Sequence, residues 1–149
     1  MSYITLDDLR GELGEAKLVQ LTDDDNSGEI GAQRVAKAIS YAVGTFDSYA
    51  RTRYTIPVPV TERVKSTCLD LAIFHLFKAR ATTDEGVYKV KKNAHDAAIN
   101  FLKDVQGGKA ALDVPSVEET VTNPASPDEI LRGSSVSKVV FDDEKMSGY

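Results

Sequence analysis

The chain of 149 residues has no tryptophan, one cysteine, Cys68, and two histidines, His75 and His95. A single cysteine excludes an internal disulfide, and one thiol with two imidazoles is too few ligands for a zinc site within one chain. No stretch approaches the roughly 18 apolar residues that span a bilayer, and the N-terminus lacks the basic and apolar regions of a secretory signal. We therefore expect a protein that is made in the cytoplasm and does not enter a membrane.

Patterns that carry catalysis are equally scarce. Cys68 lies in the apolar run CLDLAIFHLF, which is typical of a small buried hydrophobic residue. Ser48 and Ser66 lack the strand-to-helix turn of a nucleophilic serine, and no glycine-rich loop precedes a helix in the way that cradles phosphate. We expect no enzymatic activity and no cofactor.

Acidic residues outnumber basic ones, 23 to 18, and the two signs are unevenly placed. Residues 1–29 hold eight acids and two bases, residues 30–83 hold three acids and eight bases, and residues 114–149 hold seven acids and three bases. A net charge of -5 argues against broad nucleic-acid binding, which needs an uncompensated basic face. The acidic ends can instead pair with the basic middle of the same chain or of a neighbouring copy.

Apolar spacing predicts an all-α fold, a small helical bundle of three long helices and one or two short ones. Thr5 with Asp8 forms a capping box for a first helix ending near Gly11, and a second short helix ends near Leu21. The long helices start at Ala32 for about twenty residues, after the N-cap Thr61, and after Thr83 or Asp84. The middle one is apolar almost all round, which indicates the central helix. In the last one, the residues expected to face inward are Val87, Val90, Ala94, Ala97, Ala98, Phe101 and Val105, and Gly107 follows its end.

The composition divides the chain into three parts. Residues 1–113 form the predicted helical domain, residues 114–135 a linker rich in proline and serine, and residues 136–149 an extended tail. Within the tail, VSKVVF over residues 136–141 favours a short β-strand, which needs a sheet edge or surface to join.

One acidic loop has the spacing of a calcium site. Asp23, Asp25 and Ser27 occupy the first, third and fifth positions of an EF-hand loop, but its twelfth position is Arg34 instead of a bidentate glutamate. We expect a solvated loop. The alternative is a small acidic binding module with a weak Ca²⁺ site in the loop 23–31.

Several segments together resemble the Mu-like phage head-to-tail connector (adaptor, head completion) family. They are YITLDDL, LTDDD, AKAISYAVGTFDSYARTRYTIPV, DLAIFHLFKAR, the helix 85–105 followed by GGKAAL, and VVFDDEKMSGY. The most specific are FDSYARTRYTIPV and the closing phenylalanine, acidic, lysine, methionine, glycine, aromatic pattern.

The resemblance implies a structural protein of the virion, at the interface of head and tail. It implies a ring of twelve copies when assembled, with a monomer as the alternative state of the free protein. The ring would lie between the portal protein and the head-closure or tail-terminator protein, and DNA would pass through it without specific binding.

It also suggests roles for particular residues. Phe46 and Tyr49 are expected in the core, while Arg51, Arg53 and Tyr54 are candidates for contacts between copies; for Arg51 the alternative is an intrachain pair with Asp47. The residues expected to dock on the portal are Val136, Val139, Val140, Phe141, Met146 and Tyr149.

Overall fold

The computed structural model describes residues 2–80 and 84–115, and this part of the chain is all-α. Its helices are α1 (Leu6–Leu13), α2 (Glu15–Thr22), α3 (Ala32–Ala50), α4 (Glu62–Ala79) and α5 (Glu85–Gln106). The predicted fold class, three long helices with short ones beside them, is confirmed for these residues. The predicted C-terminal strand and nearly all of the predicted linker lie outside the described residues.

The short helices α1 and α2 meet at one glycine. A capping box opens α1, since the N–H of Asp8 donates to Thr5 Oγ1 at 3.3 Å and the N–H of Thr5 donates to Asp8 Oδ2 at 2.8 Å. The helix continues past Gly11, where its end was predicted, because a single glycine costs a helix only about 1 kcal/mol. Gly14, with a φ of 84°, ends α1 and precedes α2.

The helix α4 is central, as its apolar pattern predicted. It contacts α1, α2, α3 and α5, and Val64, Leu71 and Phe77 are among its fully buried residues. Thr61 is its N-cap, as expected, with Oγ1 accepting the N–H of Val64 at 3.3 Å. Because α4 contacts α1, α2, α3 and α5, its position determines where each of these helices lies.

The helix α3 packs on α4 through small and aromatic residues. Ala38, Ala42 and Phe46 have no exposed surface, and the partly buried Tyr49 packs against the same core. The expected core positions of Phe46 and Tyr49 are therefore confirmed. The distance between packed helices depends on the side chains at the contact, and small residues such as Ala38 and Ala42 let the two backbones approach closely.

The inward face of α5 differs from the predicted one. Val90 is 63% exposed and Ala97 is also exposed, whereas Leu102, which was not assigned to this face, is fully buried. Ala98 and Val105 are buried as expected. The helix packs on both α4 and α3, so its buried face is set by two neighbouring helices, which periodicity within α5 alone does not reveal.

The core continues a short way beyond α5. Leu112 is 4% exposed, and Val114 packs against the same cluster. Within residues 2–80 and 84–115, every helix falls short of the length and apolar character that crossing a membrane requires.

Candidate interaction surface

The turn after α3 carries the three residues predicted to contact other copies. The N–H groups of Arg53 and Tyr54 both donate to the carbonyl oxygen of Ala50, at 3.0 and 2.9 Å, and close the turn. The Tyr54 ring lies in the core, 4% exposed, and its hydroxyl oxygen accepts the N–H of Leu112 at 2.9 Å. Because Tyr54 is committed to its own chain, little of its surface is left for a neighbouring copy.

Arg51 is exposed at the same turn. Its Nε donates to the backbone carbonyl oxygen of Asp47 at 3.3 Å, so the bond falls on the backbone and not on the carboxylate of the alternative pairing. The Asp47 carboxylate instead accepts the hydroxyl of Tyr3 at 2.6 Å, and burial followed by this bond raises the pKa of Tyr3. The guanidinium of Arg51 is therefore exposed at the surface and makes no bond to the Asp47 carboxylate.

Arg53 is half-buried and lies against the end of α5. Its Nη1 is so near Gly108 that a Cβ added there would collide with it, and Gly108 has a φ of 82°. A cation at this place also complements the negative end of the α5 dipole. Arg53 therefore lies between the turn after α3 and the end of α5, and its role between copies stays a prediction.

The acidic loop uses its first carboxylate to hold its own backbone. Asp23 accepts the N–H of Ser27 at 2.9 Å and the N–H of Gly28 at 2.6 Å. These bonds lower the pKa of Asp23. Within the described residues, no three His, Cys, Asp or Glu side chains gather closely enough to hold a metal ion. The calcium alternative gains no support from this arrangement.

The neighbouring carboxylate, Asp24, joins the loop to two long helices. It accepts Nε of Arg34, near the start of α3, at 2.6 Å and Nη1 of Arg80, just after α4, at 2.7 Å. Arg80 Nη2 also donates to the carbonyl oxygen of Asp23 at 2.6 Å. The bond from Arg34 is the main cause of the lowered pKa of Asp24. Arg34, which stands where a calcium loop needs a carboxylate, is thus a structural partner of Asp24.

A cluster of aromatic and histidine side chains crosses α3, α4 and α5. The Tyr41 and His75 rings stack with centroids 4.8 Å apart, and the Tyr41 hydroxyl lies 3.1 Å from His95 Nε2. Phe74 lies beneath, with its ring centroid 4.5 Å from that of His95 and 5.6 Å from that of Tyr88. The sequence did not suggest this cluster, because its members come from three helices and meet only once those helices pack.

The same region is positively charged. The pKa of His75 is lowered, first by burial and then by the nearby cations Lys78, Arg34 and Lys37, so the ring is neutral at pH 7. Lys37 lies one helical turn before Tyr41, and Lys78 lies about one turn after His75; both lysines are exposed. We call Lys37, Tyr41, His75, Lys78 and His95 the aromatic–basic surface.

Cys68 is fully buried, and burial raises the pKa of its thiol to about 12. The thiolate, which is the reactive form, is therefore scarce at neutral pH. The residues predicted to dock on the portal, from Val136 to Tyr149, lie outside the described residues.

Comparison with known proteins gives one family. The family model described as Bacteriophage Mu, Gp36 matches residues 3–129 of this chain. No curated protein matches the sequence of this chain. The matched range includes the five helices, the acidic loop and the aromatic–basic surface.

Proposed function

This chain belongs to the bacteriophage Mu Gp36 family, and on that premise we propose that it is a structural head-to-tail connector. In this proposal twelve copies form a ring between the portal protein and the head-closure or tail-terminator protein of the virion. DNA passes through the ring without specific binding. The observation that carries the proposal is the family match, which extends over residues 3–129.

The side-chain geometry is consistent with a structural part that has no turnover. The only thiol, Cys68, is buried with a raised pKa. The loop carboxylates Asp23 and Asp24 are bound to backbone N–H groups and to arginines, which hold the loop in place. These polar groups maintain the fold, and a ring subunit needs a rigid body whose faces keep a constant shape.

A ring needs two different complementary faces on each copy. Arg51 presents a cation at the C-terminal end of α3, and Glu12 and Glu15 are exposed carboxylates near the junction of α1 and α2. We propose that the arginine end of one copy meets the acidic N-terminal part of the next. Charge complementarity of this kind sets partner orientation and association rate more than raw affinity.

The test is sedimentation and electron microscopy of the full chain with and without purified portal protein. We expect rings in the presence of portal, and we expect Arg51→Glu to weaken assembly by roughly tenfold, about the effect of reversing one rim charge. Lys89→Glu, a charge reversal at an exposed residue of α5 with no proposed role, is the matched control.

A chain that remains monomeric with portal at every concentration would contradict the connector proposal. Equal assembly of Arg51→Glu and of the control would contradict only the assignment of the arginine end. A fluorescence titration with duplex DNA at low salt completes the test, because tight binding there is incompatible with a channel that lets DNA slide.

A further inference from the structure

A groove between α4 and α5 carries one positive and one negative charge, each without an ion-pair partner in the described part of the chain. Its α4 side carries Arg63, Ser66 and Asp70, and its α5 side carries Ala97 and Phe101. Arg63 and Asp70 take part in none of the ion pairs among residues 2–80 and 84–115. The groove therefore presents two opposite charges, seven residues apart on the same helix, to whatever lies against it.

The positive end of the groove is held in place by an aromatic ring. Arg63 is exposed, and its Cζ lies 4.2 Å from the centroid of the Phe101 ring. Stacking of this kind is favourable for a guanidinium and leaves the N–H groups at its edge able to donate. Because the guanidinium is already positioned, less conformational entropy is lost when it binds a carboxylate.

The negative end of the groove is a partly buried carboxylate. The pKa of Asp70 is raised, first by burial and then by the charge of Glu12, which lies on α1. Lys91 acts in the opposite direction, but it forms no ion pair with Asp70 among the described residues. Charging Asp70 at this place is costly, and a cation from outside the chain would reduce that cost.

The size and the charges of the groove indicate what can occupy it. Its volume of about 160 Å³ is below the roughly 300–1,000 Å³ of pockets that enclose small molecules. Arg63 and Asp70 are about 10 Å apart along the axis of α4, so a partner must present an anion and a cation at that same spacing. A polymer with charges of one sign, such as DNA, matches only one end of the groove. The same face of a second copy, turned antiparallel, matches both ends.

We propose that the groove between α4 and α5 is the contact surface of a two-fold dimer of this chain, in which Arg63 of each copy pairs with Asp70 of the other. A two-fold contact uses the same patch on both copies, and it is the commonest symmetry of protein oligomers. The axis would pass near Ser66. Ser66 and Ala97 are small and exposed, and small side chains at a contact let helices approach closely. Because exposed ion pairs are individually weak, the dimer is expected to form at high protein concentration.

The inference goes beyond the connector proposal and does not rest on it. A ring joins two different faces of each copy, whereas a two-fold dimer joins one face to itself. The dimer is therefore a state of the free protein, formed without portal. Measurements without portal test the dimer alone, so its failure leaves the connector proposal standing.

The experiment is sedimentation velocity of the full chain over a wide range of concentrations, without portal. We expect the natural chain to dimerise, and we expect Arg63→Glu and Asp70→Arg each to raise the dissociation constant by roughly tenfold or more. Each substitution removes both ion pairs of the dimer and places like charges opposite each other. Lys89→Glu, a charge reversal on an exposed residue of α5 outside the groove, is the matched control and should leave the dimer unchanged. Circular dichroism checks that each variant is folded.

Mixing the two variants provides the decisive measurement. In a dimer of one Arg63→Glu chain with one Asp70→Arg chain, the introduced glutamate faces the introduced arginine, and the natural Asp70 faces the natural Arg63. We therefore expect the mixture to form a heterodimer with nearly the affinity of the natural chain, although each variant alone is mainly monomeric. Native mass spectrometry identifies the heterodimer by its mass. Only a two-fold contact predicts this restoration of both pairs.

Several results would overturn the proposal. One is a natural chain that stays monomeric at every concentration, and another is an Arg63→Glu chain that dimerises as well as the natural one. A mixture of the two folded variants that stays monomeric would exclude the two-fold pairing. If Asp70→Arg does not fold, Asp70→Asn, which keeps the side-chain size, takes its place, and an unchanged dimer in that variant would also contradict the pairing. Loss of portal binding in Arg63→Glu, with a natural chain that is monomeric alone, would assign the groove to the portal protein instead.

Discussion

At the scale of single residues, a few polar atoms fix the points where helices end. Thr22, 1% exposed at the end of α2, donates its hydroxyl to the carbonyl oxygen of Leu18 at 2.7 Å and accepts the N–H of Gly31 at 2.9 Å. Its oxygen thus serves the last turn of α2 and the first turn of α3. The sequence did not reveal this contact, since Gly31 lies nine positions after Thr22 and the loop between them looked simply acidic.

Gly31→Ala should destabilise the protein. A Cβ at residue 31 would collide with the backbone carbonyl oxygen of Thr22, which cannot rotate away as a side chain could. Overpacking of this kind costs about 1–3 kcal/mol, and each kcal/mol lowers the melting temperature by about 2–8 °C for domains of roughly 60–250 residues. The melting temperature is measured by circular dichroism during thermal unfolding. An unchanged melting temperature would mean that the loop relaxes freely.

Acid should weaken the acidic loop. The pKa values of Asp23 and Asp24 are lowered in the folded protein by backbone N–H donors and by Arg34 respectively. The unfolded state therefore binds protons first as the pH falls. The stabilisation from these ionised carboxylates is complete above the pKa of an aspartate in the unfolded chain, about 3.9. It is lost as the pH falls through the lower pKa of the folded state.

Urea unfolding at pH 7, 5, 4 and 3 tests this dependence, with Asp24→Asn as the comparison. The variant should be less stable than the natural chain at pH 7 and should lose less on acidification, because its amide does not titrate. An equal loss of stability in both proteins would show that groups other than Asp24 cause the acid sensitivity.

At the scale of helices, the sequence predicted which helices are present and in what order better than it predicted which face of each helix is buried. Caps are local, so Thr5 and Thr61 could be assigned from a few neighbouring residues and the last cap narrowed to Thr83 or Asp84; the structure confirms the first two and has Asp84 as the third. The face of α5 is not local, since it depends on two neighbouring helices. Val90 was therefore misplaced and Leu102 missed.

Gly44→Ala should stabilise α3. Gly44 is an exposed residue in the interior of that helix, and a Cβ added there meets nothing within 4 Å. Replacing an unconstrained helical glycine with alanine gains about 0.5–1 kcal/mol. The melting temperature should rise by a few degrees, opposite in sign to the change in Gly31→Ala. A decrease would show that this face of α3 makes a contact in solution, such as one between copies.

At the scale of the whole molecule, the helical unit and the C-terminal residues are expected to be separable. Among the residues that the structure describes, the buried hydrophobic core runs from Tyr3 to Leu112, so deletion of residues 134–149 should leave the helical circular dichroism and the melting temperature nearly unchanged. The same deletion should abolish capture by immobilised portal protein. Undiminished capture would contradict the docking role of the tail, and loss of helicity would show that the core needs those residues.

The bond between the Tyr54 hydroxyl and the N–H of Leu112 has a mechanical consequence. A pull on the residues that follow Pro115 would reach Leu112 before it reached the last turn of α5. Because Leu112 is buried and its N–H is bonded to Tyr54, in the turn after α3, part of the load would pass to that turn and not to α5 alone. Separating α5 from the bundle at its C-terminal end would first require breaking the hydrogen bond between Leu112 and Tyr54.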